Sequence, residues 1–243
     1  VDVMSADHIG PVSLGFCHSK HFAPMCRSCN SAKNNRFTKA DVDELIRLEN
    51  KGEQVISWHS KYIWDLLKNC IQNDIDAKKA SSIMAKTHQN ILYILSLIYK
   101  ATGRDFLMRY LHPEYSMMDY RFENFDLKYL DRMTILASPL DSKNKRNNQE
   151  RYVRIAFESL EEFGQKTNRK NNFIVDEHNP DLRSIVLLIN SQQHNRADSK
   201  LKELIYDVSK KIAEAEWGIK YYQMDEDYFS STMVAESGFD DNE

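Results

Sequence analysis

A chain of 243 residues is long enough to bury a sizeable core in one or two domains. With 42% hydrophobic residues but only seven Gly and five Pro, the composition predicts a globular, mainly helical protein. No apolar run approaches the ~20 residues that a bilayer-spanning helix needs, and the start has no secretory apolar core, so four cysteines without a regular framework fit reduced thiols in a cytoplasm. The net charge of -3 is unevenly spread: residues 1–40 carry five Lys/Arg against two Asp/Glu, whereas the last twenty carry seven acidic groups and no basic one.

The first segment, residues 6–36, reads ADHIGPVSLGFCHSKHFAPMCRSCNSAKNNR. Hydrolysis of a phosphodiester needs a base for water, a cation on the phosphate and leaving oxygen, and a rigid frame for both. His8 is the natural base, because an unperturbed imidazole titrates near neutrality. Asp7 and Asn30 are hard oxygen ligands of the kind Mg²⁺ or Mn²⁺ accepts, and two protein oxygens leave room for waters and a substrate phosphate. Neighbours in a regular strand point to opposite faces, so the Asp7-His8 pair predicts a strand end. Ile9-Gly10-Pro11 and Leu14-Gly15 supply the irregularity. Phe22 to Met25 returns as a second strand, and from Cys26 onward Cys26, Cys29/Asn30, Lys33 and Arg36/Phe37 recur at helical spacing on one face.

These residues, with Pro24-Met25-Cys26-x-x-Cys29-Asn30-x-x-Lys33, resemble the HNH (ββα-metal) nucleases over roughly Ala6 to Arg36. The resemblance implies a hairpin and helix gripping one divalent cation, with Asp7 and Asn30 as its ligands and His8 as general base. It puts His21, nine residues before Asn30, where the family usually carries a buttressing Asn; a histidine can still bond backbone through a ring nitrogen. Lys33 and Arg36 are placed to meet the phosphates of double-stranded DNA. Many members also hold zinc through two Cys-x-x-Cys pairs, and a closed tetrahedral site takes four ligands. Here Cys26 and Cys29 form one such pair. The other ligands are expected in a preceding stretch of the same polypeptide, or from Cys17 or His18, or there is no zinc; Cys70 stands apart. His18, His59, His88, His112, His178 and His194 have no metal-ligand spacing and read as solvated loop residues.

Beyond Arg36 the sequence predicts a series of amphipathic helices. Thr38 caps one through Val42, Leu45 and Ile46, ending near Gly52. Trp58, Tyr62, Leu66 and Cys70 mark a second. A long third runs through Ala80, Ile83, Thr87, Ile91, Ile94/Leu95 and Ile98 and ends before Gly103. Tyr152/Ala156/Leu160/Phe163 and Leu201/Leu204/Ile205/Val208/Ile212/Ala215 repeat the period. Leu182 to Ile189 is apolar enough for either helix or strand. Two basic, Asn-rich stretches, Ser142 to Asn148 and Lys166 to Asn172, interrupt these helices. Either could ride on a DNA backbone by releasing counterions, but solvated loops are the more ordinary reading of a charge run. Tyr110, Tyr115 and Tyr120 read as core or interface packing.

The expected fold class is therefore α+β, predominantly α-helical. A ββα-metal nuclease motif occupies 1–38, a helical domain packing on or extending it occupies 39–223, and 224–243 form an acidic, mobile tail. The expected function is Mg²⁺-dependent DNA cleavage. A nuclease motif ahead of a long helical portion is similar to the C-terminal half of HNH-class type IIS restriction endonucleases, with a recognition portion expected before Val1. Homing or phage-defence nucleases, a noncatalytic DNA-binding or assembly module on the same scaffold, and an RNA-cutting enzyme are the alternatives.

Overall fold

The computed structural model describes residues 4–17, 21–111, 120–125, 135–139, 142–165 and 173–218. The expectations for His18, His112, Tyr115, Lys166 to Asn172 and the acidic tail lie outside these residues. Within them the protein is predominantly helical with two small antiparallel hairpins, which is the α+β class the sequence predicts. No helix among the described residues is long and apolar enough to cross a membrane.

The chain opens with strand β1 (Met4–His8) and strand β2 (Phe22–Cys26), paired antiparallel from Met4↔Cys26 to His8↔Phe22. Helix α1 (Arg27–Lys33) follows directly. It is shorter than the spacing predicts: Asn34 adopts φ 52° and ends it, so Arg36 and Phe37 do not continue the helical face of Asn30 and Lys33. Phe37 instead enters the core, and its backbone N–H donates to Ser81 Oγ at 3.2 Å.

Helix α2 (Lys39–Asn50) starts where the sequence places it. Thr38 and Asp41 form a capping box: the Asp41 N–H donates to Thr38 Oγ1 at 3.2 Å, and the Thr38 N–H to Asp41 Oδ2 at 2.8 Å. Helix α3 (Trp58–Leu67) runs into a short 3₁₀ turn ending at Cys70. The long α4 (Asp74–Thr102) is capped by Asn73, whose side chain accepts from the N–H groups of Ile75 and Asp76, and it stops at Gly103 with φ 76°. It packs against α2, α3, α5 (Asp105–Leu111), α6 (Ser142–Gln165), α7 (Pro180–Asn190) and α8 (His194–Trp217). Its buried face of Ile83, Met84, Ile91, Ile94, Leu95 and Ile98 is the centre of one apolar cluster.

Two expectations are corrected and one open reading is resolved. The basic stretch Ser142 to Asn148 is not a loop but the opening of α6, since its Lys and Arg residues support a helix and the apolar period of α6 holds it on α4. Leu182 to Ile189 resolves as helix α7, because Asn179 caps it and Pro180 occupies its first position. His59, His88 and His194 are not loop residues; they lie on α3, α4 and α8, and His59 is buried. His178 does sit exposed in a turn. A second hairpin, β3 (Tyr120–Phe125) with β4 (Ile135–Pro139), has an irregular register between Phe122 and Asn124 and was not anticipated by any sequence pattern.

The β1–β2 connection is built into the helical core. A 3₁₀ turn, Val12–Leu14, ends at Gly15 with φ 94°, where the Gly15 carbonyl accepts from the N–H and Oγ of Ser57, at 2.9 and 2.6 Å. Phe16 pairs with Ile56 as a β-bridge and stands edge-on to Trp64 at 5.2 Å and to Phe37 at 6.0 Å. Leu14 and Trp64 are completely buried. The hairpin carrying Asp7 and His8 is thus anchored through its own loop.

Candidate active site

One seam joins β1 to α1. Ser5 and Asp7 are two apart on a strand and share a face, while Asn30 and Lys33 are three apart on a helix and share a face. The two faces meet: Asn30 Nδ2 donates to Ser5 Oγ at 3.0 Å, and the Lys33 ammonium donates to Asp7 Oδ2. Ser5 Oγ in turn donates to the Met25 carbonyl across the hairpin at 3.3 Å. With its amide nitrogen committed to Ser5, Asn30 keeps its carbonyl oxygen as an acceptor. The seam therefore lays the strand face of Ser5 and Asp7 against the helix face of Asn30 and Lys33.

Charge is concentrated there. Lys33 Nζ also lies 3.0 Å from Asp41 Oδ2 at the start of α2, and the Lys33, Asp7 and Asp41 side chains are only 6%, 11% and 12% exposed. Two carboxylates and one ammonium leave this pocket with a surplus negative charge. Asp7 already faces a cationic group, which is the chemistry a divalent cation needs from a ligand, and a carboxylate plus one amide oxygen is a set Mg²⁺ accepts when waters complete its shell. The residues fit a hard divalent ion. Among the described residues no three His, Cys, Asp or Glu side chains cluster as a metal cage.

His8 ends β1, as the paired Asp-His spacing predicts, and its ring lies 4.5 Å from that of Phe22, its cross-strand partner. His21, just before β2, donates through Nε2 to Glu53 Oε2 at 2.5 Å, a carboxylate in the segment after α2. Lys33 is turned inward to the two carboxylates rather than outward. Arg36 is exposed, and its guanidinium donates to the carbonyls of Lys33 at 3.0 Å and Ala32 at 2.5 Å, covering the open end of α1.

Cys26 and Cys29 face each other across the first turn of α1, their Cα atoms 5.2 Å apart; they are two of the four ligands a closed zinc site takes, and among the described residues no third His, Cys, Asp or Glu joins them. Cys26 also caps that helix, accepting the Cys29 N–H at 3.1 Å. Cys17 is buried in the core, and desolvation pushes its thiol up to about 12.

Asp41, Ser5 and Glu53 are site neighbours that spacing alone did not single out. For Asp41 a signal existed: Thr38-x-x-Asp41 is a capping-box pattern, and it fixes the carboxylate at the third position of α2, facing α1.

Behind the site, Gly15 rests on a buried polar group. His59 Nδ1 is hydrogen-bonded to Ser60 Oγ at 3.0 Å, and Ser60 Oγ to His88 Nδ1 at 3.4 Å, with the two rings 5.4 Å apart. Burial pushes the His59 imidazole down to about 3, with the neighbouring His88 adding to the effect, and burial pushes His88 down to about 4. Both rings are neutral near pH 7.

A family model described as "Type II restriction endonuclease (RE_Alw26IDE)" matches residues 2–221. No curated protein and no solved structure matches the chain.

Proposed function

The chain belongs to the type II restriction endonuclease family and is therefore a DNA endonuclease, and from that premise we propose that it cuts by the single-metal, His-base chemistry of HNH (ββα-metal) nucleases. The observation that carries this reading is the seam between β1 and α1. It puts Asp7 and the free acceptor of Asn30 along one strand–helix contact, with His8 at the adjacent strand end. Asp7 and Asn30 would hold Mg²⁺ or Mn²⁺, which when bound supplies charge stabilisation at the phosphate and the departing oxygen.

His8 takes the proton as water attacks phosphorus in line with the leaving group. The new P–O bond forms as the bond to the 3′ oxygen breaks, and that oxygen takes a proton from solvent, leaving 5′-phosphate and 3′-hydroxyl ends. His21, tied to Glu53, holds the entry to β2. Arg36 meets the phosphate backbone, while Lys33 is turned inward to Asp7 and Asp41. Residues 1–38 are the cleavage motif and 39–223 the helical body that supports it. A type IIS arrangement, with cutting beside a site read by another portion of the polypeptide, is the finer form of the proposal. Its support is the order of segments, and run-off sequencing of the cut ends tests it. The compartment this reading implies is the cytoplasm.

The decisive assay is cleavage of plasmid DNA with Mg²⁺, with His8→Ala alongside. A positioned general base contributes about 10²–10⁴-fold, so His8→Ala should lose at least that lower factor in rate while still binding DNA. Full activity in His8→Ala would sink the mechanism. No cleavage by either protein, with DNA still bound, would favour the noncatalytic module, and digestion of RNA in preference to duplex DNA would reassign the substrate.

A further inference from the structure

We propose that Asp41 is a positioning residue for metal binding: it is the second acceptor that allows Lys33 to release Asp7 when a divalent cation binds. The inference rests on the reading of Asp7 as a metal ligand. Lys33 Nζ touches both carboxylates, Asp7 from the hairpin and Asp41 from α2 at 3.0 Å, in a pocket almost closed to solvent. An ammonium has three donors and a flexible stem, so it can serve the two acceptors together and can also lose one of them without leaving the pocket.

A divalent cation on Asp7 and the Lys33 ammonium compete for the same carboxylate. Lys33 is therefore a built-in competitor of the metal. Without Asp41, giving up Asp7 would strand a nearly buried ammonium with no counter-charge, which is among the costliest arrangements in a protein interior. Asp41 removes that penalty, because its carboxylate is held in place independently. Its Oδ2 also accepts from the Thr38 N–H at 2.8 Å and the Thr38 hydroxyl at 2.9 Å. The capping box of α2 is thus also the rigid mount of a charge that faces the site.

The test is Mn²⁺ binding alone, by titration calorimetry and electron paramagnetic resonance on the full chain, with far-UV circular dichroism confirming that each variant is folded. Asp41→Asn should weaken Mn²⁺ affinity by roughly tenfold, within the range for directly coupled neighbours. Lys33→Met should tighten it, and in the double variant the Asp41→Asn penalty should vanish, because no ammonium remains to be stranded. Thr38→Ala removes the cap but keeps both carboxylates and should lower thermal stability with only a small change in Mn²⁺ affinity. If the wild-type chain binds Mn²⁺ and Asp7→Asn abolishes it, while Asp41→Asn and Lys33→Met both bind like wild type, the positioning role is overturned and the ligand role of Asp7 stands. If Asp7→Asn binds Mn²⁺ as well as the wild-type chain, the metal reading itself fails, and this inference with it.

Discussion

Asp7 and Lys33 show how a few side chains change meaning once their neighbours are known. In the linear chain Lys33 is a helix residue one turn beyond Asn30, in a segment with surplus positive charge, and a phosphate contact is the natural expectation. In the folded chain it is inside, shared by Asp7 and Asp41, while Arg27 and Arg36 are exposed. A phosphate contact by Arg36 has a measurable signature. Arg36→Ala should weaken DNA binding and lower the slope of log affinity against log salt by about one, because one phosphate contact releases about one counterion. Fluorescence anisotropy at several salt concentrations checks this; an unchanged slope would leave Arg36 as a cap for α1 and nothing more. The meeting of the Asp7 strand with the Asn30 helix was legible because it is local to two short elements. Thr38 was visible as a cap, but the contact of Asp41 with Lys33 comes from another helix, which a capping pattern cannot reveal.

At the scale of elements, the β1–β2 loop decides how firmly the hairpin is held. Gly15 has φ 94°, and a Cβ there would come within 2.0 Å of Ser60 Oγ on α3. Gly52 has a similar φ of 82° but open space around it. Both positions disfavour a side chain, and only Gly15 adds an overlap with a buried neighbour. Gly15→Ala should therefore cost roughly 3 kcal/mol and Gly52→Ala about 1 kcal/mol in urea unfolding; equal losses would show that the docking of the loop on α3 is not what Gly15 protects. Strands β1 and β2 were legible from the breaks around them, α2 from its Thr38 cap, and α4 and α8 from a one-sided apolar stripe. Helix α1 was over-extended, since the spacing of Arg36 and Phe37 mimics another turn. Phe37 leaves the helix because its ring is drawn into the Phe16–Trp64 cluster. The opening of α6 reads as loop in the sequence because its Lys, Arg and Asn residues carry no apolar mark.

For the whole molecule, the contact between buried His59 and half-buried His88 links stability to pH. Their imidazoles are pushed down to about 3 and about 4 from the ordinary 6.5. Between pH 6.5 and those values the unfolded chain binds protons that the folded chain refuses, so stability must fall as the pH drops through this window. The expected loss is roughly 1 kcal/mol per pH unit for each ring, seen as a urea midpoint that declines from pH 6.5 to 4.5. His88→Gln should make that decline shallower, and an unchanged slope would show that these rings do not set it. No local pattern marks the two as a pair: histidines 29 positions apart meet only because α3 packs on α4. By itself, the sequence determined the class of chemistry and the helical architecture, since residue types, capping signals and periodicity act over a few neighbouring positions. Tertiary structure alone decided that Lys33 is enclosed by carboxylates from two elements, that Cys17 is core, and that the hairpin is anchored through its loop. Those outcomes depend on which distant surfaces exclude water from one another, and no local spacing encodes that.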